Sequence, residues 1–323
     1  MAGNSNFTNA KRLKNDEFYT MITDIGQELQ YYEKHLYGKV VLCNCNDGEE
    51  SAFWQYLSEH FERLHLKKLI AVKYGVYGYK LEKTGRNSCC KTSLYGNGDF
   101  RSEECISILH ESDVVITNPP FSLFREYIGL LLHYHKKFLI IGSMNMAVCR
   151  EIFPYIQSNQ LWLGHHAVKS FVQSNGEICN FGNVLWYTNI DCQKRFEPLN
   201  LQAHYIPEAY PHYDNYPAID VCRIADIPCD YSGMMGVPIS YLTRHNPEQF
   251  TIIGLTQGND GIAKRYENLV QHRPDGTISN GSKANTSAVM RTNEKPDKIY
   301  YTASNTDGFL VCRFVRVLIK SKQ

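Results

Sequence analysis

The sequence predicts an α/β protein built on a twisted, mostly parallel sheet with helices on both faces. Three observations carry this. Short apolar runs alternate with amphipathic segments along the chain, the pattern left by strand–helix–strand crossovers. Residues 138–141 are a continuous apolar run, the mark of a strand buried on both faces. Val114-Val115-Ile116, opened by Asp113, leads into Asn118-Pro119-Pro120-Phe121 and then an amphipathic segment from Ser122 to about Leu132. That order is strand, rigid turn, helix.

In chain order, Ile22, Ile25, Leu29, Tyr32 and Leu36 recur at three- and four-residue steps and predict a helix over 22–36, capped by Thr20. Val40 to Leu42 reads as the first sheet strand. The turn after it, Cys43-Asn44-Cys45-Asn46-Asp47-Gly48-Glu49-Glu50, opens a helix carrying Phe53, Trp54, Leu57, Phe61 and Leu64. Asp47 and Glu50 have capping-box spacing. Residues 68–72 read as the second strand, and 75–98 show no clear helix. Gly98-Asp99-Phe100 precedes a short helix over 102–110. After the Pro-Pro turn come a helical stripe (Phe124, Tyr127, Ile128, Leu131), the strand 138–141 and a helix over 146–156. Two more strands follow, 160–163 and 184–189. From about Arg195 prolines, tyrosines and asparagines become frequent. The stretch 259–307 is turn-rich and reads as one or two long hairpin loops, and 309–319 as a closing strand. There is no internal repeat.

A chain of 323 residues can bury a full core. No apolar run is long enough to span a membrane, and the polar N-terminus lacks the core of a signal peptide. A cytoplasmic protein is expected. The 11 scattered cysteines do not suggest a disulfide framework. Cys43/Cys45, Cys89/Cys90 and His165/His166 lack zinc-site spacing, and no metal is expected. Net charge is +1, so attraction to a polyanion has to be local. Lys11, Arg12 and Lys14 form one basic cluster. Arg313, Arg316, Lys320 and Lys322 form another.

The Pro-Pro turn carries the chemistry. Two prolines fix two φ angles, and the residue before a proline is held extended. The Asn118 side chain and the carbonyls of Asn118 and Pro119 are therefore held at the carboxyl edge of the sheet, where open α/β sheets bind ligands. An amide oxygen and a carbonyl oxygen suit an –NH₂ group on an sp² carbon that must become a nucleophile. Phe121 can stack on a flat base.

Asn118-Pro119-Pro120-Phe121 after a strand resembles the catalytic motif of S-adenosylmethionine-dependent amino methyltransferases. Further blocks are similar, in order, to the EcoRI-type site-specific DNA adenine-N6 methyltransferase family. They are Asn15-Asp16-Glu17-Phe18-Tyr19-Thr20, Val40 to Cys45, Gly98 to Ser102, Asn118 to Phe124, Lys137 to Ile141, Gly236 to Ile239 and Asn246 to Phe250. The similarity weakens over 259–307.

The resemblance implies a Rossmann-like S-adenosylmethionine-dependent methyltransferase fold with a C-terminal target-recognition region. It implies methyl transfer from S-adenosyl-L-methionine to adenine N6 in double-stranded DNA by base flipping. Asn118, Pro119, Pro120 and Phe121 are the expected catalytic residues. Phe18, Tyr19 and Thr20 are expected beside the cofactor's methionine end, with Cys43, Asn44 and Asp47 in the first turn. Asp99 and Phe100 are expected at its adenine. The second strand ends Val72-Lys73-Tyr74 without the usual ribose carboxylate, which leaves Tyr74 or Glu82 for that task. Lys11, Arg12, Lys14, His165, Lys169, Tyr213 and Asn215 are expected on the DNA. The interval between Asp99 and Asn118 is too short for a recognition domain. The expected division is thus a cofactor-binding and catalytic domain over 1–194 and a target-recognition region over 195–323 packed on it. Enzymes of this kind can act as monomers, in restriction-modification with a cognate endonuclease that acts on the same site without a stable complex, or as orphan phage-type methylases. The same pocket would also accept RNA adenine, cytosine N4 or a protein glutamine. A DNA-binding protein with a lapsed methyltransferase fold is the alternative outside enzymes.

Overall fold

The run that ends at the Pro-Pro turn is a strand with parallel partners on both sides in the computed structural model, which describes residues 19–44, 48–172, 177–257 and 261–322. By contacts the chain divides into two units, Met1–Lys194 and Arg195–Gln323.

The first unit contains β1 (Tyr19–Thr20), β2 (Val40–Asn44), β3 (Lys68–Lys73), β4 (Tyr79–Gly85), β5 (Ser88–Ser93), β6 (Val114–Thr117), β7 (Lys137–Ser143), β8 (Trp162–Leu163), β9 (Val168–Val172) and β10 (Ile178–Thr188). They form one sheet in the order β1-β9-β10-β7-β6-β2-β3-β4-β5, with β8 pairing β10. The pairs β2/β3, β2/β6 and β6/β7 are parallel, and β10 and β4 run antiparallel to their neighbours. Strand order therefore reverses between β2 and β6, and a crevice opens beyond their carboxyl ends. Val41, Leu42, Val115, Ile116 and residues 138–141 have almost no exposure, as expected of strands covered on both faces.

The helices are α1 (Ile22–Leu29), α2 (Ala52–Glu59), α3 (Glu103–Glu111), α4 (Phe124–His133) and α5 (Phe153–Gln157). The predicted helix over 22–36 is shorter than its apolar stripe. Tyr32 leaves α-helical geometry (φ −120°, ψ 0°), and a 3₁₀ turn over Glu33–His35 carries Leu36 into the core. The N-cap of α1 is Met21, and Thr20 does not cap it. The N-cap of α2 is Ser51, whose hydroxyl accepts from the Phe53 amide at 3.2 Å; Asp47 of the expected capping box lies outside the described residues. The predicted helix over 146–156 is two pieces, a 3₁₀ turn over Met144–Val148 and α5, separated by extended Cys149. Pro154 sits in the first turn of α5, where its missing N–H costs nothing. The stretch 75–98 is the β4–β5 hairpin.

The second unit contains β11 (Ala218–Asp220), β12 (Met234–Pro238), β13 (Phe250–Leu255), β14 (Val270–His272), β15 (Ile278–Ser279), β16 (Val289–Thr292), β17 (Tyr300–Ala303), β18 (Thr306–Cys312) and β19 (Arg316–Ser321). One sheet runs β11-β12-β19-β13 and a second β15-β14-β17-β18-β16. The long loops expected over 259–307 are thus mostly a small antiparallel sheet. The closing strand expected over 309–319 is two strands of different sheets, interrupted at 313–315. No helix among the described residues is long and apolar enough to cross a membrane.

His245 of this unit is buried, and its Nδ1 pairs with the Tyr241 hydroxyl at 3.0 Å. Burial, then the charges of Arg195 and Lys322, push its imidazole down to about 4. The unfolded chain therefore takes up a proton near pH 6.5 that the folded chain refuses until about pH 4. Stability falls as pH falls through that window. Urea midpoints measured from pH 7 to pH 4 will show this slope, and His245→Gln will reduce it by about one proton.

Candidate functional site

The site is built where β2 and β6 end. Thr117, the last residue of β6, is fully buried and donates its hydroxyl to the Asn44 carbonyl at 2.9 Å. That bond ties the carboxyl end of β6 to that of β2, one residue before Asn118. Pro120 is extended (φ −52°, ψ 129°) and its carbonyl accepts from the Leu123 amide at 2.9 Å, starting a 3₁₀ turn over Phe121–Leu123. This turn runs directly into α4.

Two packing contacts hold the turn. Phe124, fully buried, lies against Gly142 of β7, where any Cβ would collide with the ring. Phe121 is half-buried and meets the edge of Phe171 of β9, centroids 6.0 Å apart, and Phe171 in turn meets Phe181 at 5.4 Å. Pro119 is buried, Asn118 is half-buried, and Asn118 Oδ1 is screened from solvent.

The second wall is the loop before α3. Gly98 has φ +78°, and a Cβ there would strike the Lys73 carbonyl at the end of β3. Gly75 N–H donates to the Asn97 carbonyl at 2.9 Å. The Gly98-Asp99-Phe100 segment is therefore pinned at the carboxyl end of β3, beside β2. Phe100 meets Tyr127 of α4 edge-on at 5.0 Å. Both Asp99 oxygens take Arg101, at 2.8 Å from Nε and 2.6 Å from Nη2. Arg101, against the smaller effect of burial, holds the Asp99 carboxyl below the usual range.

The third wall is β1 and β9, paired Tyr19 to Val172 and Thr20 to Phe171. Thr20 is buried, and its hydroxyl has no hydrogen-bond partner among the described residues. Behind this wall Glu28 of α1 is wholly buried. It accepts from the His165 amide at 3.1 and 3.0 Å, from the His166 amide at 2.6 Å and from the Tyr32 hydroxyl at 2.9 Å. Burial raises its carboxyl pKa, and these donors oppose the rise. The His165 ring lies 3.1 Å from Cys192 Sγ, and burial, then Lys194, push it down to about 4.

The fold thus gathers Asn44, Asn118 to Phe121, Asp99, Phe100, Tyr19 and Thr20 around one sheet edge. Several expectations change. Cys43 is wholly buried in the apolar core. Glu82 lies in β4 opposite Ile70, where it pairs with Lys68 and with Lys80 at 3.0 Å, so it is a strand residue toward the other end of β3 and cannot reach a ribose from a loop. His165 is anchored by its backbone and ring, whereas Lys169 is exposed on β9. Tyr213 and Asn215 are core residues of the second unit, not surface readers. Tyr213 donates to Asp220 at 2.5 Å, and Asn215 holds the Ser287 carbonyl and the Val289 amide at 2.8 and 2.9 Å. Phe18, Asp47, Lys11, Arg12 and Lys14 lie outside the described residues.

Sequence reasoning missed Thr117, Gly98, Tyr127 and Glu28. Only Gly98 carried a signal, a glycine directly before the Asp-Phe pair. It also missed His204, Cys229 and Asp230, an exposed group whose donor atoms lie close enough to share a metal ion. His204 Nδ1 pairs there with Asp230 at 2.9 Å.

Gly98→Ala is expected to cost at least about 2 kcal/mol, because a left-handed backbone and a main-chain collision coincide there. Chemical denaturation of the variant checks this.

A family model described as adenine-specific methyltransferase EcoRI matches residues 6–322. Among curated proteins, the chain is 43% identical over 290 residues to the Type II methyltransferase M.EcoRI of Escherichia coli, covering 78% of this chain and 89% of that protein. It is 36% identical over 340 residues to M.MpnI of Mycoplasma pneumoniae, covering 98% of both. It is 35% identical over 341 residues to M.MgeORF184P of Mycoplasma genitalium, covering 98% of this chain and 99% of that one. No solved structure matches.

Proposed function

The chain belongs to the EcoRI family of adenine-specific methyltransferases, and from that premise we propose how its residues divide the work. The protein is a site-specific DNA adenine methyltransferase. The observation that carries the residue assignment is the Asn-Pro-Pro-Phe turn, tied at its base to the end of β2 by Thr117.

Residues 1–194 form the catalytic domain and 195–323 the target-recognition region. The reversal of strand order between β2 and β6, with antiparallel β10 beyond β7, supports a Rossmann-like methyltransferase fold for the first. The methyl donor is S-adenosyl-L-methionine, which when bound supplies an electrophilic methyl on a good leaving group. The residues fit it. Thr20 offers a buried hydroxyl without a partner among the described residues at the wall where the methionine end belongs. Asn44 stands at the end of β2, and Phe100 with the Gly98–Asp99 backbone lies at the end of β3, where the adenine belongs. Asp99 would give up part of its Arg101 contact to accept from the adenine amino group.

Adenine N6 is out of reach inside a duplex, so the target base leaves the stack at a cost of a few kcal/mol. Phe121 stacks on it, braced by Phe171. Asn118 Oδ1 and the Pro119 carbonyl accept from the amino group and draw its nitrogen from planar toward tetrahedral, which turns the lone pair outward. Both acceptors are fixed before the base arrives, so little reorganisation is left for the reaction itself. Lys169, exposed on β9, is placed to meet a phosphate beside the flipped nucleotide. We read the enzyme as a monomer in the cytoplasm, with any cognate endonuclease sharing the site without a stable complex.

Expression in a methylation-free bacterial host, followed by long-read sequencing sensitive to N6-methyladenine, tests the activity and yields the motif. An unmodified genome from soluble protein would overturn it. Asn118→Ala should lower methylation on the order of 10²–10³-fold or more while DNA affinity stays within about twofold. Equal loss of both in a folded variant would refute the assignment. Thr20→Val removes a buried hydroxyl without a partner among the described residues. It should leave the melting temperature unchanged or higher and weaken cofactor binding by calorimetry roughly tenfold.

A further inference from the structure

The second unit holds its arginines in an arrangement that its fold alone does not require. Asp220 of β11 has a fully buried side chain. It accepts from the Tyr213 hydroxyl at 2.5 Å, from Arg316 Nε at 3.2 Å, and has Arg313 Nε at 3.2 Å. Asp214 is built alike. It accepts from the Tyr266 hydroxyl at 2.9 Å and has Arg291 Nε at 3.1 Å and Lys264 Nζ at 3.7 Å. Each carboxylate faces two cations, so each group keeps one positive charge in excess.

Arg316 is hydrogen-bonded through Nε, whereas Arg313 Nε lies 3.2 Å from Asp220 Oδ2 as an ion pair without hydrogen-bond geometry. Among the described residues, neither Arg313 nor Arg316 gives a terminal nitrogen to a protein acceptor. Arg313 Nε is screened from solvent, yet its side chain is 36% exposed. The exposed part therefore lies beyond Nε, at the outer end of the guanidinium. Arg313 also sits on the three-residue connection between β18 and β19. Its amide donates to the Ala288 carbonyl at 2.8 Å, and its neighbour Phe314 is 69% exposed. At the far end Arg316 N–H donates to Thr256 Oγ1 at 2.8 Å. The connection is short, fixed at both ends, and presents a guanidinium and an aromatic ring to solvent.

A guanidinium whose inner edge is ion-paired with a buried acid, on a connection tied at both ends, keeps its outer N–H groups turned away from that acid. A phosphate contact does not need that, because a mobile lysine neutralises a phosphate equally well. Bidentate recognition of the O6 and N7 atoms of guanine in the major groove does. We propose that Arg313 reads a guanine of the target site and that Asp220, with Arg316, is its positioning frame. This rests on the reading of residues 195–323 as the target-recognition region.

The test uses full-length wild type, Arg313→Lys and Asp220→Asn, with melting temperatures to establish folding. Each is expressed in the methylation-free host and its methylated motif mapped. Each is then assayed on duplexes carrying guanine or 7-deazaguanine at each guanine of the motif. Wild type should disfavour 7-deazaguanine at one position by roughly 10- to 100-fold in kcat/KM. Arg313→Lys keeps the charge but loses the fork, so it should lose that preference and relax the motif at the same position. Asp220→Asn should lose the preference with kcat at saturating DNA near wild type. Because Asp220 is buried, Arg313→Lys decides the matter if the asparagine variant fails to fold.

The proposal is overturned if Arg313→Lys retains the wild-type preference, or if wild type tolerates 7-deazaguanine at every position. It is also overturned if Arg313→Lys weakens all duplexes equally with a shallower salt dependence, the sign of a phosphate contact. A wild-type protein that marks no DNA instead refutes the proposed function, a separate outcome.

Discussion

The hydrogen bond from Thr117 to the Asn44 carbonyl is the constraint on which the site depends. Strand order reverses between β2 and β6, so their chains leave the sheet in different directions and a crevice opens between them. A crevice is useful only if its two lips keep their spacing. Thr117 is buried, so its hydroxyl would be costly to leave unpaired, and the nearest carbonyl on the neighbouring strand satisfies it. The next residue is Asn118. The prolines then remove the freedom that an ordinary strand-to-helix turn would have. Register, hydroxyl and prolines act in series, and each makes the next effective.

The other walls are held by close approach. Gly142 lets the Phe124 ring approach β7 closely, which seats the start of α4 and the turn before it. Gly98 lets its loop touch the main chain at the end of β3. Glu28 acts at longer range. It gathers two backbone amides from the segment leading into β9, and β9 delivers Phe171 to Phe121. A buried carboxylate on a helix thus supports an aromatic contact in the crevice. These bonds tie the helix to the segment that leads into β9.

Legibility in the sequence followed the range of the interactions. The parallel strands were legible because burial on both faces writes continuous apolar runs such as 138–141. The Pro-Pro turn was legible because proline acts on its own backbone. Helix ends were less so. The apolar stripe from Ile22 to Leu36 does not distinguish an α-helix from an α-helix continued by a 3₁₀ turn, since both bury Tyr32 and Leu36. The β4–β5 hairpin was hidden because β5 is wholly exposed and carries no alternation. Tyr213 and Asn215 misled for a different reason. Aromatic and amide residues serve base recognition and buried hydrogen-bond networks alike, and only their partners separate the two. Ser287 and Val289 are distant in sequence from Asn215, and nothing in the short stretch from Tyr213 to Asp220 marks that pair. The same holds for Glu28, whose two amide donors come from beyond residue 160.

Net charge argues the remaining point. At +1 the chain gains little from nonspecific attraction to a polyanion, so orientation has to do much of what charge does in strongly basic proteins. On the proposed reading of residues 195–323, this is met by two carboxylates, buried Asp220 and half-buried Asp214, that each face two cations. The acids lower the local charge, which weakens long-range attraction. In return they fix where the remaining N–H donors point. That exchange favours discrimination between DNA sequences over affinity for DNA in general, which suits an enzyme that must mark one sequence among many similar ones.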